Sequence, residues 1–178
     1  TARGYLNAKE QWNTMQLKDS KTYEKNFSLS PISRPVKMEN IFYEFGRWEL
    51  TQQSEEELLR LVKLLEDNPN ITIELSAHTD MKGNDEYNQD LSQKRAQSCC
   101  DFLIQHGIEK ERLTPVGYGK HKPVVADKAL HAKYNFIPQE QVLDETFILT
   151  LTAEQQEICN QINRRTEFKV VKTTYNLY

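Results

Sequence analysis

Long apolar runs are missing from this 178-residue chain, and nothing in it approaches the roughly 20 residues of a membrane-spanning helix. A basic-then-apolar leader is missing too, so Thr1 reads as a boundary or a processed end. Cysteine is scarce: Cys99, Cys100 and Cys159 are odd in number and two are adjacent on a predicted helix, which is poor geometry for a disulfide framework. Buried or half-buried free thiols are expected, compatible with either an oxidising or a reducing compartment. An excess of positive charge is also absent, with 23 Lys+Arg against 26 Asp+Glu and a net charge of −3; a generic nucleic-acid binder is therefore disfavoured. Of four histidines, His106, His121 and His131 are scattered. His78 and Asp80 could form half of a metal site, but no second pair has matching spacing, so no metal or cofactor is expected. A Cys99–His78 hydrolase dyad would put the nucleophile on an apolar helix stripe, where cysteine is usually core.

What is present is ordinary globular composition, 28% charged and 38% hydrophobic, enough for one well-buried domain and a small extra element. Residues 1–39 are polar and irregular and end in "SLSPISRPVKMEN", where Pro31 and Pro35 favour an extended linker. They read as the end of an upstream module and its linker, with the domain proper over 40–178. "NIFYEF" (40–45) reads as a strand, with the aromatics Phe42, Tyr43, Phe45 and Trp48 as core and sheet rim. Ser54–Glu57 reads as a capping box opening a helix, with Leu58, Leu61, Val62 and Leu65 as its apolar stripe and Asn68-Pro69 as its stop. "ITIELSA" (71–77) alternates as a strand with one packed face. The next helix starts near Asn84 or Asp85 and ends at Gly107. "RLTPVGYG" (112–119) and "TEFKVV" (166–171) are two further strands, and Thr152–Gln155 is a second capping box before the last. The order β-α-β-α-β-(α)-β predicts a two-layer α/β sandwich, a mixed sheet covered by helices on one face.

Asp80 leaves the C-terminal end of the second strand, at a strand-to-helix mouth where ligands collect in open α/β sheets. Arg95, inside the following helix, can lean back toward the same mouth, and the first amides of that helix favour an anion. A carboxylate, a forked cation and free amides suit a zwitterion: an ammonium on Asp80, a carboxylate on Arg95. The same two residues would also satisfy a plain salt bridge pinning helix to strand.

"NIFYEFGRWELTQQSEEEL", "ITIELSAHTDMKGNDEYNQDLSQKRAQS", "GIEKERLTPVGYGKHKP" and "NRRTEFKV" resemble, in order and spacing, the signature of OmpA-like C-terminal domains over about 40–172. That resemblance implies noncovalent, non-catalytic binding of peptidoglycan, with Asp80 and Arg95 holding the diaminopimelate of the stem peptide. It makes Thr79, Asn88 and one arginine of Asn163-Arg164-Arg165, expected to be Arg164, supporting positions. It further implies a periplasmic, outer-membrane-associated protein, with other outer-membrane or secretion-system proteins as partners through upstream modules. A structural interaction domain and a cell-wall peptide hydrolase are the alternatives. The 124–162 stretch is longer than the family's usual loop and resembles the branch found in modular outer-membrane-associated proteins, type IX secretion among their settings. It offers no clustered charge pair and is expected to be ordered and to contact neighbouring modules.

Overall fold

The structure, a computed structural model, describes residues 4–9, 32–44 and 46–175. Its elements are β1 (Val36–Met38), α1 (Gln52–Asp67), β2 (Thr72–His78), α2 (Asp85–Gln105), β3 (Leu113–Gly117), α3 (Lys128–Lys133), α4 (Glu145–Ile148), α5 (Ala153–Asn163) and β4 (Arg165–Lys172). The sheet runs β1-β4-β2-β3, with β2 and β3 parallel and β4 antiparallel to both its neighbours. It is the expected mixed sheet with helices on one face. Ile71, Ile73, Leu75 and Ala77 meet Leu58, Leu61 and Leu65 of α1 and Ala96, Cys99 and Leu103 of α2 in the main core. All three cysteines are free and buried, and burial pushes the Cys99 and Cys100 thiols up to about 12.

Two local expectations need correction, and one hydroxyl explains both. Residues 41–44 form no strand, because Ser54 Oγ donates to the Phe42 carbonyl and accepts from the Phe42 amide, each at 2.8 Å, taking the groups that a ladder would use. Ser54 is therefore not the cap of α1. Thr51 is, its side chain accepting from the Ser54 amide. The sheet edge beside β4 is filled instead by β1, which precedes residue 40. Leu6 is buried in the same core, and the Asn7 amide donates to Asn68 Oδ1 at 2.8 Å, so the packed unit draws on residues ahead of Asn40. Residues 1–3 and 10–31 of the expected linker, and Phe45, lie outside the described residues.

The 124–162 insertion is ordered around a small core of its own, in which Ala126, Ile137, Leu143, Ile148 and Cys159 are buried. Its last helix opens with the predicted capping box at Thr152 and Gln155. On the other flank, the exit from β3 is pressed onto α2. A Cβ at Gly117 would stand 2.3 Å from the Gln93 backbone nitrogen, closer than any side chain tolerates. Gln93 Oε1 accepts from the Gly117 amide, and Ser92 Oγ from the Gly119 amide, both at 2.8 Å.

Candidate functional site

The mouth between β2 and α2 is shaped by short polar side chains. Asn84 caps α2 by accepting from the Tyr87 amide at 2.8 Å, and Gly83 takes the left-handed φ of +90° that the turn requires. Asp80 Oδ1 accepts from the Lys82 amide at 3.0 Å. Thr79 and Asn88, both buried, hold this loop. The Thr79 amide donates to the Gly119 carbonyl at 2.9 Å, its hydroxyl to the Asp80 carbonyl at 3.2 Å, and Asn88 Nδ2 to the Lys82 carbonyl at 2.8 Å.

Arg95 is only 8% exposed, yet among the described residues no carboxylate lies within ion-pair distance of it. Its Nε donates to the Arg47 carbonyl at 2.9 Å and its Nη2 to the Glu44 carbonyl at 3.5 Å, while the guanidinium lies 4.6 Å over the Tyr43 ring. Burial lowers its pKa, opposed by Tyr43, Tyr87 and Asp80, but an arginine so shifted is still a cation. The turn carrying those carbonyls is closed by the Arg47 amide on Glu44 O and by Gly46 at a φ of +67°. That the carbonyls of this turn hold Arg95 was not foreseen from the sequence. The "FGR" glycine was the available signal.

The direct Asp80–Arg95 salt bridge is not formed. Asp80 Oδ2 pairs with Arg164 Nη1 instead, and Arg164 Nη2 donates to Glu157 Oε1 at 2.6 Å. Glu157 also takes Lys82 Nζ at 3.0 Å; hydrogen bonds from Arg164 and Lys82 lower its pKa. Arg164's own pKa is raised, since Glu157 and Asp80 outweigh the opposing effect of burial. Arg165 stays outside this cluster, donating through Nε to Glu167 Oε1 at 2.6 Å, although it too lines the cleft that holds Arg164. Glu157, contributed by the insertion, was not foreseen.

Arg95 and Arg164 line one open cleft of about 1040 Å³, together with Tyr43, His78 and side chains of the insertion. Asp80 is not on that wall. It lines an adjoining pocket of about 460 Å³ with Asp85, Lys120 and Asp144, and its bond to Arg164 links it to the larger cleft. The two residues expected to share one mouth are thus placed on neighbouring cavities with a second arginine between them.

Behind Arg164, His78 is buried with Nε2 3.6 Å from Glu167 Oε2 and its ring stacked on Tyr118. Burial lowers the His78 pKa below 6.5. Glu167 is held at about 2 although burial alone would raise it, because His78 and Arg165 favour its charge. Both groups are depressed in the fold. The His78 contribution is therefore complete above pH 6.5 and lost as pH falls below it. That of Glu167, on the order of 3 kcal/mol, is complete above about 4.5 and lost on the way down to about 2. Urea midpoints should fall steadily from pH 7 to pH 3, and a Glu167→Gln variant should flatten the lower half of that curve. An unchanged curve in the variant would assign the acid loss to other groups.

A profile described as the OmpA family matches residues 42–135, just over half of the chain. Outer membrane porin F of Pseudomonas fluorescens is 34% identical over 104 residues, which is 58% of this chain and 32% of that protein. A peptidoglycan-associated lipoprotein of Buchnera aphidicola subsp. Baizongia pistaciae is 32% identical over 101 residues, 57% of this chain and 58% of the lipoprotein. The cell wall anchor of the T6SS from Pseudomonas aeruginosa has the same fold, with a TM-score of 0.51 at 22% identity over 78% of this chain and 79% of that one. The chain spans less than two thirds of the length of the curated relatives it matches.

Proposed function

The chain belongs to the OmpA family, and from that premise we propose that it is a non-catalytic module that holds peptidoglycan through the diaminopimelate of the stem peptide. The observation that carries the reading is Arg95: a cation buried in the wall of a large cleft, with carbonyls and a ring for neighbours and no carboxylate among the described residues. A buried charge is stabilised by pairing, and a ligand carboxylate supplies the missing partner in the forked geometry that guanidinium prefers. Asp80 completes the zwitterion site. Its carboxylate has about four lone-pair positions, so a ligand ammonium can join the Lys82 amide and Arg164 already on it. Thr79 and Asn88 set the loop, and Arg164, on the cleft wall, ties Asp80 to the cleft from its adjoining pocket.

The name of the lipoprotein relative supports peptidoglycan as the partner, and that of the porin relative supports a place at the outer membrane, where a peptidoglycan-binding module would face the periplasm. The finer reading is an anchor for an outer-membrane-associated assembly, in modular proteins such as PorE of type IX secretion, with 40–178 as the binding domain and partners reached through upstream modules. Its support is the sequence resemblance of the elaborated 124–162 segment.

Calorimetry with three matched stem peptides tests the chemistry. Lysine in place of diaminopimelate keeps the ammonium but removes the carboxylate, leaving Arg95 desolvated and unpaired. Sites built for a polar group reject analogues that lack it. Diaminopimelate should bind at least about a hundredfold more tightly than lysine, with amidation of that carboxylate also weakening binding. Equal affinities for the three peptides would remove the zwitterion site. In parallel, intact sacculi should pellet the protein without release of fragments; released fragments would make it a hydrolase, and failure to pellet would leave a purely structural domain.

A further inference from the structure

Diaminopimelate in a stem peptide is bonded through amides to residues on either side, so peptide must continue beyond the pocket that holds it. Resting on the reading above, we propose that the 124–162 insertion is the second wall of the ligand cleft and reads the peptide flanking the diaminopimelate. The cleft that begins at Arg95 and Arg164 is lined further along by Val125, Lys133, Tyr134 and Ile158, all from the insertion. Its volume of about 1040 Å³ is at the upper end of what a drug-sized molecule fills, far more than one amino acid needs. The expectation that this segment serves neighbouring modules took no account of that wall.

The lining matches a short acidic, alanine-containing peptide. Phe42, ahead of α1, and Val125 from the insertion stand 48% and 57% exposed, unusual for large apolar side chains that line a cavity, and they offer surface to methyl groups. Lys133 lies at the end of α3 with no carboxylate in ion-pair distance among the described residues, and it lines the same cleft. Stem peptides carry carboxylates besides that of diaminopimelate. The wall is also fixed to the site. Asn163, immediately before Arg164, accepts from the Val124 amide at 2.9 Å and donates to the Leu143 carbonyl at 2.8 Å, and Met81, next to Asp80, packs against the insertion's own core. A wall tied to Asp80 and Arg164 in this way is a built part of the cleft rather than a loose lid.

Calorimetry with three probes separates the possibilities: free diaminopimelate, the sugar-free tetrapeptide Ala-Glu-diaminopimelate-Ala with its natural stereochemistry, and the peptide-free disaccharide. The protein should bind the tetrapeptide about tenfold or more tightly than free diaminopimelate. In Val125→Glu and Lys133→Glu, each at an exposed position, that ratio should collapse toward one, whereas Arg95→Lys should lose both ligands. A ratio near one in the unaltered protein, or an unchanged ratio in both wall variants, overturns the inference and leaves the proposed function standing. Disaccharide that binds and competes with tetrapeptide assigns the cleft to glycan and also overturns it. Absence of binding to all three probes removes the proposed function, and this inference with it.

Discussion

An Arg95→Lys variant is expected to fold and to remain in the supernatant when sacculi are pelleted. Lysine keeps the charge but has neither the fork that meets a carboxylate nor the planar face that lies on Tyr43. Loss of one partner from a desolvated charged contact costs about 2 to 5 kcal/mol of binding, enough to erase a micromolar interaction. The change also removes the hydrogen bond to the Arg47 carbonyl, so stability should fall by about 1 kcal/mol. The turn at residues 44–47 should loosen without loss of the core. Circular dichroism and a urea titration establish that the variant is folded under the pelleting conditions. Co-sedimentation at the level of the unaltered protein would show that Arg95 serves only to tie the turn to α2.

Arg112 should give the opposite result, a large loss of stability with binding intact. It is 6% exposed; its Nε donates to the Ile71 carbonyl at 3.0 Å and its Nη2 to the Leu65 and Asn68 carbonyls, both at 2.8 Å. Leu65 and Asn68 stand at the C-terminal end of α1, where carbonyls lack partners within the helix and the dipole favours a cation. Arg112→Met preserves most of the packing but removes this donor from three carbonyls, leaving those of Leu65 and Asn68 only the long bonds from the Asn68 and Ile71 amides at 3.3 and 3.4 Å. The expected cost is about 4 kcal/mol, the sum of charged hydrogen bonds and unmet desolvation. It should appear as a lower urea midpoint with an unchanged slope. The folded fraction should still pellet with sacculi, because Arg112 lies under α1, away from both cavities. A loss below about 1 kcal/mol would mean that water replaces the guanidinium.

The contrast between these two arginines shows what a single sequence reveals. Periodicity exposed α1 and β2, because their apolar residues recur at the spacing each element buries. Asn84 and Gly107 gave the ends of α2 through cap chemistry that acts within a few residues. Arg112 carried no such local signal: its acceptors are more than 40 residues away, and a lone arginine before a strand looks like any surface cation. The misread strand at 40–45 failed for the same reason, since Ser54 captures Phe42 across 12 positions. At the site, Asp80 and Arg95 could be singled out by type and by the helix geometry between them. The bond from Asp80 to Arg164 spans 84 positions, and no local pattern foretells it. Nor could spacing show that the insertion, which looked like an appendage, lines the cleft.

The close approach of Gly117 to Gln93 also has a bearing on how fast a ligand can be captured. With no side chain between the β3 exit and α2, and hydrogen bonds on either side of the contact, the helix cannot slide along the strand without breaking them. Arg95 rides on that helix and Asp80 leaves the adjacent strand, so their separation is set before any encounter. Capture should then proceed in one step. In a stopped-flow experiment the observed rate should rise linearly with ligand concentration and show no plateau of the kind an isomerisation would impose. Enlarging Gly117 to alanine, which must push helix and strand apart, should introduce one.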